Sequence, residues 1–147
     1  MLVFQFSLRK VIEKFGFWFV RSMDHSGIPL YLILHPEEIG VLSDAEPVGL
    51  EVNLPTGIDV WMSRDDSDKG RKRPKVDLIF SKKGYYYLVE VKDKQHISPK
   101  DKADVEEYAR RFRERFNPSE KSKVIPIIVH PKEPLVQAFV DFMSQKS

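Results

Sequence analysis

Asp77, Glu90 and Lys92 are the residues of this chain whose types and spacing could do chemistry. Side chains alternate along a strand, so Glu90 and Lys92 in YYYLVEVK share a face with Tyr86 and Leu88, while Val89 and Val91 point to the other layer. Two ionic groups side by side on a strand with apolar neighbours are unusual, because charges are seldom buried unless they are paired or bound to metal. Two carboxylates with no softer donor suit a hard cation, Mg²⁺ or Mn²⁺. A cation held there would lower the pKa of a bound water and neutralise charge on a scissile phosphate. Lys92 could position or deprotonate that water, or stabilise the charge of the transition state. As a surface ion pair, Glu90 and Lys92 would contribute little; the apolar neighbours and the elements that follow favour a site.

Asp77 joins this pair only if the hairpin register allows it. Val76–Phe80 and Tyr86–Lys92 read as two strands, with a tight turn in Ser81–Gly84. An even turn, such as Lys82-Lys83 or Lys82–Tyr85, places Asp77 on the face of Glu90. The first option sets it opposite Leu88, diagonal to Glu90, and the second sets it directly opposite Glu90. An odd turn sends it to the other face.

Elements on both sides must hold this hairpin. Pro99–Phe116 is the strongest helix, with Val105, Tyr108, Ala109, Phe112 and Phe116 in one apolar stripe. Glu106 with Arg110 and Glu107 with Arg111 are at ion-pair spacing, and the helix arginines read as a solvated face. Val124–Val129 is a β-branched run expected of a strand buried on both faces. The run from Tyr86 to Val129 is long enough for a parallel crossover. Pro134–Met143 reads as a closing amphipathic helix. Upstream, Ser7 caps a helix to Phe15 that Gly16 ends, and Phe17–Arg21 reads as a strand. Pro29–His35, Val48–Leu54 and Ile58–Ser63 are strand candidates, and Pro36–Leu42 could form a helical turn.

The stretch VDLIFSKKGYYYLVEVK resembles the Asp…Glu-x-Lys signature of the PD-(D/E)XK nuclease superfamily, which includes restriction endonucleases, Holliday-junction resolvases and RecB-like nucleases. Twelve residues separate Asp77 from Glu90, a spacing that suits the family, as do the helix and strand that follow. The resemblance implies that Asp77 and Glu90 bind Mg²⁺ or Mn²⁺, helped by the Val91 carbonyl, and that Lys92 is the catalytic lysine. It implies auxiliary roles for Glu13, the one acid on the first helix, and for Tyr108. Asp104 stands where the RecB-like branch often has Gln, and Val76 stands where the name-giving proline would be. The implied fold is α/β, a restriction-endonuclease-like mixed sheet flanked by helices, with extra short strands in residues 22–74. The implied activity is hydrolysis of DNA phosphodiester bonds. A homodimer or a larger complex would bring two sites to a duplex. The alternative is a catalytically inactive nucleic-acid-binding or protein-interaction module on the same fold.

The basic run Lys69, Arg71, Lys72, Arg73 and Lys75 precedes Asp77 and could hold a phosphate backbone beside the metal; Asp65, Asp66 and Asp68 offset it. Asp59, in Ile58-Asp59-Val60, is a second candidate acid. His25, His35, His96 and His130 have no partner at ligand spacing, and Trp18 and Trp61 read as core or partner anchors.

Composition excludes other chemistries. The absence of cysteine removes disulfides, zinc fingers, iron–sulfur clusters and thiol nucleophiles. There is no Gly-x-Ser-x-Gly and no glycine-rich phosphate loop. Hydrophobic residues form 41% of the 147, enough for a core, in one domain with an insertion at about 22–74 that could dock a partner. The net charge of +2 gives no global field for nucleic acid, so phosphate contacts must be local, with DNA expected over RNA. The apolar runs are too short to cross a bilayer and the N-terminus does not read as a signal peptide, so a cytoplasmic protein away from membranes is expected.

Overall fold

The computed structural model describes residues 1–15, 28–53, 75–116 and 123–145. The expected strands Phe17–Arg21 and Ile58–Ser63, the basic residues Lys69–Arg73, Asp59, His25 and both tryptophans lie outside them.

The chain is an α/β protein built on a mixed sheet of five strands. These are β1 (Leu2–Phe6), β2 (Glu46–Asn53), β3 (Lys75–Lys82), β4 (Tyr85–Val91) and β5 (Lys123–Pro131), in the order β1-β5-β4-β3-β2. β1 and β4 run parallel to β5; β3 is antiparallel to β4 and β2 to β3. Among the described residues, four helices flank the sheet: α1 (Leu8–Phe15), α2 (Ile28–Leu34), α3 (Pro99–Phe116) and α4 (Leu135–Gln145). Two 3₁₀ turns, Pro36–Glu38 and Gly40–Leu42, lead into β2.

The sheet has unequal faces. One packs Leu78, Phe80, Val89, Val91, Ile127 and Val129 against Leu8, Val11 and Ile12 of α1, Ile28 and Leu32 of α2 and Ala138 of α4. The other is covered by α3, where Phe112 meets Val76, Ile79 and Leu88, with Tyr86, Tyr108, Ala109 and Val124 around them. Strand β5 is buried on both faces, since consecutive Ile127, Ile128 and Val129 are all at most 1% exposed.

The long helix has the expected limits, Pro99–Phe116. Its capping box is reciprocal: the Ser98 hydroxyl accepts from the Asp101 N–H at 3.1 Å, and Asp101 accepts from the Ser98 N–H at 2.9 Å. Ser7 caps α1 weakly, its hydroxyl 3.4 Å from the Lys10 N–H.

One reading is corrected, and one strand is added to the expected elements. The run expected as a strand at Pro29–His35 is helix α2, so the extra short strands of 22–74 reduce, among the described residues, to β2. A short apolar run does not reveal its period, and here burial of Ile28, Tyr31 and Leu32 follows helical spacing. The N-terminal segment is also a strand: β1 pairs with β5 from Leu2–Ile127 to Phe6–Pro131.

Candidate active site

The hairpin turn decides the geometry. Lys82 pairs with Tyr85, so the turn has two residues, Lys83 and Gly84, with φ of 47° and 81°. Positive φ at both positions is the backbone of a type I′ turn, whose twist matches that of the flanking strands. The turn is even, as the site requires, but sits one residue later than Lys82-Lys83. That shift moves Asp77 from opposite Leu88 to opposite Glu90, one step beyond the Leu78–Val89 pair.

Each carboxylate is held by the other strand. The Asp77 N–H donates to Glu90 Oε1 at 2.9 Å, and the Val91 N–H donates to Asp77 Oδ2 at 2.8 Å. The two acids are thus pulled together by the backbone although their charges repel. Glu90 is only 6% exposed. Burial first, and the neighbouring Asp77 charge second, push its carboxyl up to about 8, against the pull of the Asp77 N–H and the Lys92 ammonium. A pair in this condition has a standing demand for positive charge. Mg²⁺ is commonly bound through one or two carboxylates, completing its octahedron with waters and substrate oxygens, so the donors fit such an ion. Among the described residues, no group of three acids or histidines is placed to hold a metal.

Lys92 is half-buried just past the end of β4. Its N–H donates to Val129 O at 2.9 Å, which extends the contact with β5 by one residue. The loop beyond is clamped twice. His130, buried at 4% exposure, donates through Nδ1 to Lys94 O at 3.0 Å, and the Lys94 ammonium lies 2.7 Å from Asp101 Oδ1. Burial alone would push the Asp101 carboxyl up, but Lys94 and the Ser98 N–H and hydroxyl hold it down at about 2. The backbone that carries Lys92 is therefore fixed from both sides.

Tyr108 reaches the same place from α3. It packs in the smaller core, and its hydroxyl is pushed up by burial, then by Glu90, Asp104 and Asp77. It combines the core role expected from its stripe with proximity to both acids.

The remaining expected residues sort clearly. Glu13 is exposed on α1, 3.9 Å from Arg9, and α1 packs on the sheet face opposite α3, so the structure does not bring Glu13 to Asp77 and Glu90. Lys75 begins β3, two residues before Asp77. His96 is exposed, His35 bonds Glu37 at 3.1 Å, and His130 is structural. On α3, Glu107 pairs with Arg111 at 3.2 Å as expected, whereas Arg110 joins Glu107 and Glu114. Sequence reasoning missed Asp101 and His130; the Ser98-x-x-Asp101 spacing was the available signal for the first, and none existed for the second.

Comparison of the chain with protein-family models, curated proteins and solved structures gave no match. Among the described residues, no helix is long and apolar enough to cross a membrane.

Proposed function

We propose that the chain is a divalent-metal-dependent nuclease that hydrolyses DNA phosphodiester bonds on a restriction-endonuclease-like fold. The supporting observation is the reciprocal clasp of Asp77 and Glu90, with Lys92 two residues beyond Glu90, just past the end of β4. A structural ion pair would place a cation against Glu90 and lower its pKa. Here burial, and after it the second acid fixed alongside, raise it.

Asp77 and Glu90 would hold Mg²⁺ or Mn²⁺, with the Val91 carbonyl as the further donor that the family resemblance implies. When bound, such an ion offsets the charge of the phosphodiester and acidifies water. Lys92, carried on a clamped backbone, orients the attacking water by hydrogen bonding and stabilises charge developing on the phosphate. Tyr108 walls the site on the α3 side. The basic residues Lys69–Lys75 lead into β3 and would meet the nucleic-acid backbone.

The second reading, a non-catalytic nucleic-acid-binding or protein-interaction module, is favoured by one observation: Asp77 and Glu90 lack a third acid among the described residues. The deciding experiment incubates the full chain with plasmid, linear duplex and single-stranded DNA in Mg²⁺, Mn²⁺ or EDTA, beside Lys92→Ala. Metal-dependent cutting that falls by about 100-fold or more in the variant is expected. No cutting of any substrate, with no stabilisation by metal, supports the module.

A further inference from the structure

Helix α4 is apolar over more of its circumference than one core can use. At 3.6 residues per turn, LVQAFVDFMSQ sets Leu135, Ala138 and Phe142 in one sector and Phe139, Met143, Val136 and Val140 in the next, an apolar arc of roughly 200°. The first sector packs on the main core, where Ala138 is fully buried. The second faces solvent: Val136 is 75% exposed, Met143 50%, Val140 49% and Phe139 37%. These are four of the ten exposed large hydrophobics among the described residues, gathered on a single helix of 11 residues. A helix that serves one core needs an apolar stripe only about 100° wide. The remaining sector of α4 is polar, and Asp141, the one charge on the helix, is held there by Gln137 at 2.8 Å.

The exposed sector matches itself. Its positions are symmetric about the midpoint between Phe139 and Val140, with Val136 and Met143 equally far on either side. Two copies of α4, laid antiparallel about a two-fold axis through that midpoint, set each Val136 against a Met143 and gather Phe139 and Val140 at the centre. Such a contact is isologous, the same patch serving on both copies. No charge enters it, because Asp141 lies about 100° around the helix from Val140. The sector offers roughly 350 Å² of apolar surface per copy, the scale of patch that is often functional on a monomer. A stable interface of standard size buries about 800 Å² per partner. The stripe with its polar flank therefore supports a reversible dimer, with a Kd in the range of tens of micromolar, on the order of 6 kcal/mol.

We infer that the outer face of α4 is the surface by which two copies of this chain form a weak two-fold homodimer. The contact does not depend on the nuclease reading. It would also place two Asp77–Glu90 sites in one particle.

Sedimentation of the full chain, from about 1 to 300 µM, tests this directly. The wild type is expected to be monomeric at the low end and mostly dimeric above about 100 µM. Val140→Glu and Val136→Glu each place a charge in the contact and should remain monomeric throughout, with unchanged circular dichroism. Val136 is the most exposed of the four, so Val136→Glu serves where Val140→Glu fails to fold. The chain has no cysteine, so a single introduced one reports the geometry. Under mild oxidation Val140→Cys, beside the two-fold axis, should crosslink two copies. Val136→Cys should not, because its own copy lies about 10 Å further along the helix. Crosslinking at 136 as fast as at 140 overturns this pairing, as does a folded glutamate variant that dimerises like the wild type. A wild type that stays monomeric over the whole range overturns the dimer and leaves the face to a different protein.

Discussion

Asp77 and Glu90 grip each other's strands: the N–H of Asp77 binds the Glu90 carboxylate, and the Asp77 carboxylate binds the N–H of the residue after Glu90. Each acid is thereby fixed by backbone, which cannot swing away as a side-chain partner could. Two buried acids held this close cost stability unless a positive charge offsets them.

That cost should appear as a pH dependence. The Glu90 carboxyl is raised from 4.5 to about 8 in the fold, so the folded chain holds this proton when the unfolded chain has lost it. The contribution of Glu90 is fully present below about 4.5 and is lost as pH rises through 8. Denaturant melts of the metal-free protein should show stability falling across this window, with a slope approaching about 1.4 kcal/mol per pH unit. Glu90→Gln should flatten the slope and be the more stable protein at the alkaline end. An equal slope in both proteins would contradict the burial argument.

Metal should reverse the effect. At a Mn²⁺ concentration of one hundred times its Kd, the wild type should gain about 2.7 kcal/mol. Asp77→Ala should gain little or nothing, because it loses a ligand and the acceptor that anchors Val91. Thermal melts with and without Mn²⁺ read both numbers, and an undiminished shift in Asp77→Ala would place the ion elsewhere.

The turn offers a stability test far from the chemistry. Gly84 sits at a φ of 81° with open space where a Cβ would stand, so Gly84→Ala should cost about 1 kcal/mol through backbone strain alone. Lys83, at a φ of 47°, is a non-glycine residue in the left-handed region. Lys83→Asn should stabilise by about 0.5 kcal/mol, because asparagine tolerates that region better. Urea melts of the two variants should move in opposite directions.

The clamp beyond β4 should fail in acid. Burial disfavours the Asp101 charge, yet Lys94 and Ser98 hold the carboxyl at about 2, below its ordinary 3.8. Its contribution is present above about 3.8 and lost as pH falls through 2. Asp101→Asn at neutral pH should cost about 1–2 kcal/mol, discounted because Lys94 is half exposed. It should also lower the cleavage rate more than substrate binding, since it loosens the segment after Lys92 without touching DNA. Equal losses in kcat and in affinity would point to a wider collapse.

The hairpin, the crossover helix and the doubly buried β5 were readable because long periodic segments with strong boundary residues leave few alternatives. PLYLILH was misread because every residue but the proline and histidine is apolar or aromatic, and such a run carries no period to choose helix over strand. Strand β1 was missed for a related reason: Leu2, Phe4 and Phe6 alternate with Val3, which hides the alternation. The pairing of Asp77 with Glu90 depended on a turn that either of two lysine-containing segments could form. Glu13 was carried by family resemblance, and nothing in its local sequence could show which side of the sheet α1 would take. Arg111 read as a solvated charge because helical spacing places it at the border of the apolar stripe, where only packing decides the outcome.

The two-residue turn at Lys83-Gly84 also restricts how this gene segment can change by descent. Adding or deleting one codon there would rotate Asp77 away from its partner, while a change of two would restore the side but slide the contact along the strand. Length drift at this loop should therefore be suppressed, even though its tip is exposed and chemically idle. Gly84 functions as the zero mark from which the distance to both acids is counted.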